Sequence, residues 1–302
     1  MSSNLKNWIT AFRLRTLPLA LSCIAMGSFL AYFRYDFSWN VFIFSFLTTI
    51  ALQVLSNLAN DYGDAVFGAD NEYREGPNRM VQDGLISKES MKWMIIFFGI
   101  LSLVFGIALL YFSGLSRGDF IVFFGIGILA IIAAVNYTIG FKLPYGYKGY
   151  GDIFVFIFFG LVAVLGSYYL HAKSFDWQLL LPATTCGFFA TAVLNINNMR
   201  DIDSDKIAGK HSIPVRIGLK KAIKYHAFLL FGGLLLSIVF VILNYRSPVQ
   251  FLFLLSFPLL MKNFLGIKNA KFSSAMDPFL KQMAITTLIF VLLFGIGLVI
   301  IY

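Results

Sequence analysis

The sequence predicts an all-α integral membrane protein with nine transmembrane helices, and three observations favour this fold class. Of the 302 residues, 59% are hydrophobic and only 13% are charged, about half the charged share of a typical soluble domain. The apolar residues form long stretches, each close to the roughly 20 residues that cross a bilayer. Polar and charged residues are concentrated between these stretches. A chain of this composition is expected to be solvated mainly by lipid.

The predicted spans alternate with long and short connections. We place the spans at residues 17–35, 39–60, 92–113, 118–138, 152–171, 177–198, 224–243, 248–267 and 281–301. The long connections cover residues 61–91, 139–151, 199–223 and 268–280. This pattern predicts a single domain over residues 1–302, built from two four-helix pseudo-repeats (roughly 17–138 and 152–267) and a ninth helix.

The basic residues predict how the chain is oriented in the membrane. The sequence contains 24 Lys and Arg residues, and the short connections hold only four of them: Arg34, Arg117, Lys173 and Arg246. The others lie at the N-terminus and at the long connections. Because Lys and Arg are enriched in cytoplasmic loops, the N-terminus and the long connections are predicted to be cytoplasmic. The net charge of +9 is then a property of these loops and does not indicate a nucleic-acid partner.

Clusters of Asn and Asp residues end the second and sixth predicted spans. In the first cluster, Asn57, Asp61 and Asp64 have the i, i+4, i+7 spacing that places side chains on one helix face. In the second cluster, Asn197, Asp201 and Asp205 are spaced i, i+4, i+8, whereas Asp203 is predicted to point away into solvent.

The two clusters also support the internal repeat. Asn57–Asp61 and Asn197–Asp201 share one spacing and are separated by four predicted spans. An even number of crossings returns the chain to the same face of the membrane, so both clusters are predicted to lie on the cytoplasmic side. Parallel repeats of this kind place a site at the interface between the two halves.

The residue types in the clusters predict a magnesium–diphosphate site. Carboxylate and amide oxygens, without His or Cys, suit a hard cation such as Mg²⁺, which binds one or two carboxylates together with phosphate oxygens. Basic residues that could bind the phosphates follow in the adjacent loops: Arg74, Arg79, Lys142, Lys210 and Arg216. A metal and bases that together neutralise a leaving diphosphate would provide Lewis-acid catalysis. Aromatic rings in the same cavity would stabilise an allylic cation, and Tyr62, Tyr137 and Tyr168 are candidates.

Two other functional classes remain open on the residues alone. A divalent-cation or anion transporter would also carry polar residues within its spans, but near the middle of the bilayer and not at helix ends. An enzyme that transfers phosphoalcohols from a CDP-lipid would also use membrane carboxylates, but its D-G-x-x-A-R pattern is missing from this sequence.

The two Asp clusters resemble the motifs of the UbiA superfamily of intramembrane aromatic prenyltransferases. The family carries N-D-x-x-D at the end of helix 2, which stands here as Asn60-Asp61-x-x-Asp64. It carries D-x-x-x-D at the end of helix 6, which stands here as Asp201-x-x-x-Asp205. The common family form has a further Asp at the position of Gly68, whereas this chain has Asp70 two residues later. This departure, with the stretches GPNRMVQ (76–82), YKGYGD (147–152) and MDPFLKQMA (276–284), is similar to the subgroup that prenylates 1,4-dihydroxy-2-naphthoate.

The resemblance implies a bundle of nine helices around a cavity that opens to lipid, in the plasma (inner) membrane, with the active site on the cytoplasmic side. It implies transfer of a polyprenyl group from polyprenyl diphosphate to 1,4-dihydroxy-2-naphthoate, with loss of CO₂ and diphosphate, on the way to menaquinone. Another acceptor, such as 4-hydroxybenzoate or a lipid glycerol phosphate, is the alternative. It implies Mg²⁺ bound by Asp61, Asp64, Asp201 and Asp205. The diphosphate would be bound by the basic and amide residues Arg74, Arg79, Lys142, Lys210, Asn57, Asn60, Asn197 and Asn198.

Overall fold

The computed structural model describes residues 3–34, 36–67, 79–139 and 144–300, and within this part of the chain nine helices are long and apolar enough to cross a membrane. They confirm the predicted number of spans. In chain order they are α1 (Ser3–Phe12 continued by Leu17–Phe33), α2 (Trp39–Phe67), α3 (Lys88–Phe112), α4 (Arg117–Asn136), α5 (Gly151–Ala172), α6 (Trp177–Arg200), α7 (Leu219–Leu243), α8 (Pro248–Lys268) and α9 (Ser273–Val299).

Several helices extend beyond the predicted apolar spans. Helix α2 continues to Phe67 instead of ending at residue 60, and α7 begins at Leu219 instead of residue 224. The regular α-helix of α9 begins at Asp277, four residues before the predicted start. The apolar pattern marks only the part of a helix that is in contact with lipid, whereas backbone hydrogen bonding continues through polar residues that are compatible with a helix. The extension of α2 carries Asp64, and that of α9 begins with Asp277.

Helix α1 is interrupted where it approaches the site. Arg13 adopts a left-handed backbone conformation (φ 49°, ψ 52°), and one short 3₁₀ turn, Leu14–Thr16, follows before the helix resumes. Asn57 of α2 stabilises this break, because its amide nitrogen donates hydrogen bonds to the Phe12 carbonyl (2.9 Å) and to the Thr16 hydroxyl (3.0 Å).

The core lies around α6, which packs against α5, α7 and α9, whereas α3 and α4 lie at the periphery with few of their side chains buried. Close approach of α5 and α6 depends on glycine. A Cβ atom at Gly160 of α5 would lie 2.8 Å from the Cα atom of Gly187 of α6. Small residues at such contacts let transmembrane helices pack backbone to backbone, which replaces the hydrophobic driving force that is missing in lipid.

A π-helical segment, Phe156–Leu165, forms the middle of α5. The wider winding of a π-helix changes the direction of the side chains relative to an α-helix, and such segments are frequent at functional sites. Here the segment forms one wall of a large internal cavity, and the chain regains α-helical winding at Gly166.

Candidate active site

A cavity of about 730 Å³ lies between α1, α2, α3, α4, α5 and α6. Its long wall is apolar and is formed by side chains of the peripheral helices and of the π-helical segment, among them Leu103, Ile107, Phe124, Ile128, Phe158 and Leu161. Its polar end is formed by residues from both predicted clusters: Asn57, Asn60, Asp64, Arg79, Asn197, Asp201, Asp205 and Lys210. The fold therefore brings the two clusters, 140 residues apart in the chain, to one end of an apolar chamber.

In the first cluster, Asp64 is the carboxylate that faces the cavity. It forms an ion pair with Arg79, which also donates a hydrogen bond to the backbone carbonyl of Asn60 (2.9 Å). The hydroxyl of Tyr147 donates to the other carboxylate oxygen of Asp64 (3.1 Å). Asp64 thus connects the end of α2 to Arg79 of the first long connection and to Tyr147 in the loop before α5.

Asp61 occupies a different place from the one that the sequence predicts. Its side chain does not line the cavity, and its two carboxylate oxygens accept the backbone N–H groups of Met80 and Val81, each at 3.1 Å. The residue is only 1% exposed. The helix turns Asn57, Asn60 and Asp64 towards the cavity and directs Asp61 towards the returning loop, so the structure gives Asp61 a loop-anchoring contact.

In the second cluster, Asp201 and Asp205 both line the cavity and both are paired with cations. The Arg200 guanidinium contacts both oxygens of Asp201 (2.8 and 2.7 Å). Lys210 donates to Asp205 (3.2 Å), whose second oxygen accepts from the Ser212 hydroxyl (3.3 Å).

The remaining residues of the second cluster differ in their positions. Asp203 is exposed, as its place on the helix predicted. Asn197 lines the cavity, and its side-chain oxygen accepts from Arg200 (3.0 Å). Asn198 is buried without lining the cavity, so the structure does not bring it to the site.

Charges from the two clusters act on one another at the polar end. Burial by itself would lower the pKa of the Lys210 ammonium, but the acidic groups around it, Asp205 first and Asp64 among them, raise the pKa above its ordinary value. Burial raises the pKa of the Asp205 carboxyl, and Lys210 opposes that effect. Burial also raises the pKa of the Tyr137 phenol to about 12. Lys210 therefore remains a cation between the two clusters.

Each carboxylate that faces the cavity has its own basic partner: Asp64 with Arg79, Asp201 with Arg200, and Asp205 with Lys210. Among the described residues, no three His, Cys, Asp or Glu side chains form a preassembled metal cluster. The donor set at the polar end nevertheless suits Mg²⁺, because it consists of carboxylate and amide oxygens without sulfur or imidazole.

Some of the predicted site residues lie outside the described ranges. Arg74, Gly68 and Asp70 fall within residues 68–78, and Lys142 falls within residues 140–143. Their expected roles in the diphosphate site stay predictions.

Sequence reasoning missed Arg200, Asp277 and Tyr147. Arg200 lies directly before Asp201, outside the i, i+4 pattern, and so was not assigned to the site. Asp277 forms an ion pair with Arg200 although it begins the ninth helix, and no local pattern connects the two. Tyr147 opens the stretch YKGYGD, which was noted for its resemblance to the subgroup and could have been a signal. Of the three tyrosines considered as cavity rings, only Tyr137 lines the cavity.

Comparison with known proteins decides the family. The model of the UbiA prenyltransferase family matches residues 20–285. The chain belongs to this family. The chain is 44% identical over 302 residues to a 1,4-dihydroxy-2-naphthoate octaprenyltransferase of Haemophilus influenzae, and the match covers 99% of this chain and 98% of the relative. It is 43% identical to the protein of the same name from Escherichia coli, over 98% of this chain and 96% of the relative.

Solved structures of UbiA homologues share the fold of this UbiA prenyltransferase. The apo homologue from Aeropyrum pernix matches with a TM-score of 0.70 at 16% identity, over 95% of this chain and 98% of that chain. The Archaeoglobus fulgidus homologue bound to DMAPP and Mg²⁺ matches with a TM-score of 0.56 at 18% identity, over 96% of this chain and 99% of that chain. The predicted all-α membrane bundle is thereby confirmed.

Proposed function

We propose that this UbiA prenyltransferase transfers a polyprenyl group from a polyprenyl diphosphate to 1,4-dihydroxy-2-naphthoate. The observation that carries the proposal is the apolar chamber that ends in three carboxylate–cation pairs. Such a cavity suits a molecule with a long apolar tail and a highly charged head. The names of the relatives from H. influenzae and E. coli support the acceptor.

The polar end would hold Mg²⁺ through Asp64, Asp201 and Asp205. Asp61 does not face the cavity, because its carboxylate accepts hydrogen bonds from the backbone of the returning loop, so we do not count it among the direct ligands. When bound, Mg²⁺ supplies Lewis-acid stabilisation of the charge that develops on the leaving diphosphate. The solved homologue bound to DMAPP and Mg²⁺ supports this use of the metal.

Arg79 and Lys210 would bind the diphosphate oxygens. Both are buried or nearly so, and both now neutralise carboxylates at the polar end. In a site with little water, a cation that points at a developing negative charge stabilises that charge more strongly than it would in bulk solvent. As the allylic C–O bond breaks, its electron pair leaves with the diphosphate and the prenyl carbon becomes a delocalised cation.

A run of aromatic rings leads from the charged end towards the tail region and would stabilise this cation. Tyr137 contacts Tyr145 edge to face with ring centroids 5.3 Å apart, and Tyr145 stacks on Phe154 at 4.1 Å. All three line the cavity. The negative faces of such rings attract cations, and the gain increases where water is excluded.

The acceptor then attacks the cation through the ring carbon that bears the carboxylate. A new C–C bond forms there, and the bond from this carbon to the carboxylate breaks. CO₂ leaves, and the electron pair of that bond restores the aromatic ring, which gives demethylmenaquinol. The ring carbon receives the prenyl group in place of the carboxylate, so this step requires no external oxidant or reductant.

The experiment that tests the proposal is an acceptor comparison on the purified enzyme in detergent with farnesyl diphosphate and Mg²⁺. We expect 1,4-dihydroxy-2-naphthoate to give prenylated, decarboxylated product detected by mass, with one CO₂ and one diphosphate released per transfer. Prenylation of 4-hydroxybenzoate or of a glycerol phosphate in its place would overturn the acceptor and leave the prenyltransferase assignment intact. Release of diphosphate with no prenylated acceptor would contradict the transfer itself.

We further propose that the polar end of the cavity faces the cytoplasm of a cell with the enzyme in its plasma (inner) membrane. The distribution of Lys and Arg supports this orientation, with the N-terminus inside and the C-terminus outside. Alkaline phosphatase fused after Tyr302 is expected to be active, because it folds only outside the cytoplasm. The same reporter inserted after Gly209, in a connection predicted to be cytoplasmic, is expected to be inactive. The reverse pattern would invert the orientation.

A further inference from the structure

The Arg200 side chain is a buried cation that no part of the proposed mechanism uses. It is the last residue of α6, it lines the cavity, and its side chain is only 1% exposed. Nε and Nη2 contact the two oxygens of Asp201, Nη2 also contacts Asn197, and Nη1 contacts Asp277. All three guanidinium nitrogens therefore have acceptors, and two carboxylates share one charge.

The contact between Arg200 and Asp201 occupies the oxygens that a divalent cation would need. A bidentate guanidinium–carboxylate pair is among the strongest charge-assisted contacts in proteins. A buried charge that loses its partner is strongly penalised, because water cannot replace the lost contact. Arg200 can release Asp201 only if another anion keeps it neutralised.

Asp277 is placed to be that anion. It begins the regular part of α9, it already contacts Nη1 of Arg200, and its side chain is 37% exposed, so its charge is partly hydrated. Arg15 lies nearby, 3.9 Å from the second oxygen of Asp277. Asp277 also belongs to the stretch MDPFLKQMA, which resembles the subgroup but has had no functional role so far.

We propose that Arg200 is a positioning residue, which holds Asp201 while the cavity is empty and is retained by Asp277 when Asp201 binds a divalent cation. The inference rests on the proposed function, in which Asp201 is a metal ligand. Asp277 would then affect the affinity of the site for the metal through Arg200, without contacting the metal itself. Because the two carboxylates compete for one guanidinium, weakening either contact strengthens the other.

The competition predicts that substitutions of Asp277 and of Arg200 change metal affinity in opposite directions. In Asp277→Asn, Arg200 keeps only Asp201 as a charged partner, so the metal must break a stronger contact. We expect its Mn²⁺ dissociation constant to rise by at least about fivefold, the low end of typical coupling between linked sites. In Arg200→Gln, Asp201 has lost its two contacts with the guanidinium, and we expect Mn²⁺ to bind more tightly than in the unchanged protein.

The test is Mn²⁺ titration of the full chain in detergent, followed by electron paramagnetic resonance without any substrate. Asp203→Asn is the matched control, since it removes the same charge from the same region at an exposed position, and Asp203 forms no ion pair with Arg200. In the Arg200→Gln background, Asp277→Asn is expected to have no more effect than Asp203→Asn. Arg200→Lys keeps the charge but loses the bidentate geometry and is expected to bind Mn²⁺ with intermediate affinity.

Failure of this inference is distinguishable from failure of the proposed function. If Asp277→Asn binds Mn²⁺ as tightly as Asp203→Asn does, Arg200 does not compete with the metal and the inference is overturned. If Asp201→Asn binds Mn²⁺ as the unchanged protein does, the proposed metal ligand itself is wrong. The comparison of Asp277→Asn with Asp203→Asn decides the inference even if Arg200→Gln does not fold, because both altered side chains are at least partly exposed.

Discussion

Replacing Asp64 or Asp201 by Asn is expected to lower prenyl transfer by about 100- to 1,000-fold, the effect of removing a group that stabilises transition-state charge in a water-poor site. Each substitution keeps the size of the side chain and removes one negative charge from the polar end of the cavity. The two residues come from different helices, α2 and the end of α6, so each would take a metal ligand from one side of the site. Product formation under saturating substrate and Mg²⁺ is the measurement.

Two controls separate this expectation from a general effect of losing acidic residues. Asp203→Asn removes an exposed carboxylate close to Asp201 in the chain and is expected to keep most of the activity. Asp61→Asn should lower the melting temperature more than the two active-site changes do, because Asp61 accepts the backbone N–H groups of Met80 and Val81. If Asp203→Asn were as inactive as Asp201→Asn, the assignment of the cavity face would be wrong.

Removing divalent cations is expected to have the second large effect, a loss of nearly all turnover with excess EDTA. Each of the three carboxylates at the polar end is paired with a cation, so without a metal these pairs carry little net positive charge to stabilise the leaving diphosphate. Activity should return with Mg²⁺ or Mn²⁺, which prefer oxygen ligands. Zn²⁺ should restore it poorly, because no His or Cys lines the described part of the cavity.

The chelation experiment needs a control for lost protein. The enzyme treated with EDTA should elute from size exclusion like the untreated enzyme, and its activity should recover fully after Mg²⁺ is added. Unchanged turnover in excess chelator would eliminate the metal-bridged diphosphate. The paired cations Arg79, Arg200 and Lys210 would then be the groups that neutralise the leaving group.

The sequence by itself determined the fold class, the number of spans and the family. Whether a segment can cross a bilayer depends on the length of its apolar stretch, which is a local property of the sequence. The nine spans were therefore predicted with errors only at their ends. The spacing of Asp201 and Asp205 also predicted their shared position at the cavity, and the exposure of Asp203, because helical periodicity is local too. The family that the two Asp motifs indicated is confirmed by a family match over residues 20–285, a range that contains both motifs.

Only the tertiary structure decided which charges pair. Asp61 and Asp64 lie three residues apart on one helix, yet one anchors a loop and the other faces the cavity with Arg79 as its partner. The contact between Arg200 and Asp277 joins the ends of α6 and α9, 77 residues apart in the chain. Helical spacing orders side chains around one axis, but the partner of a buried charge depends on which other helix ends are packed beside it.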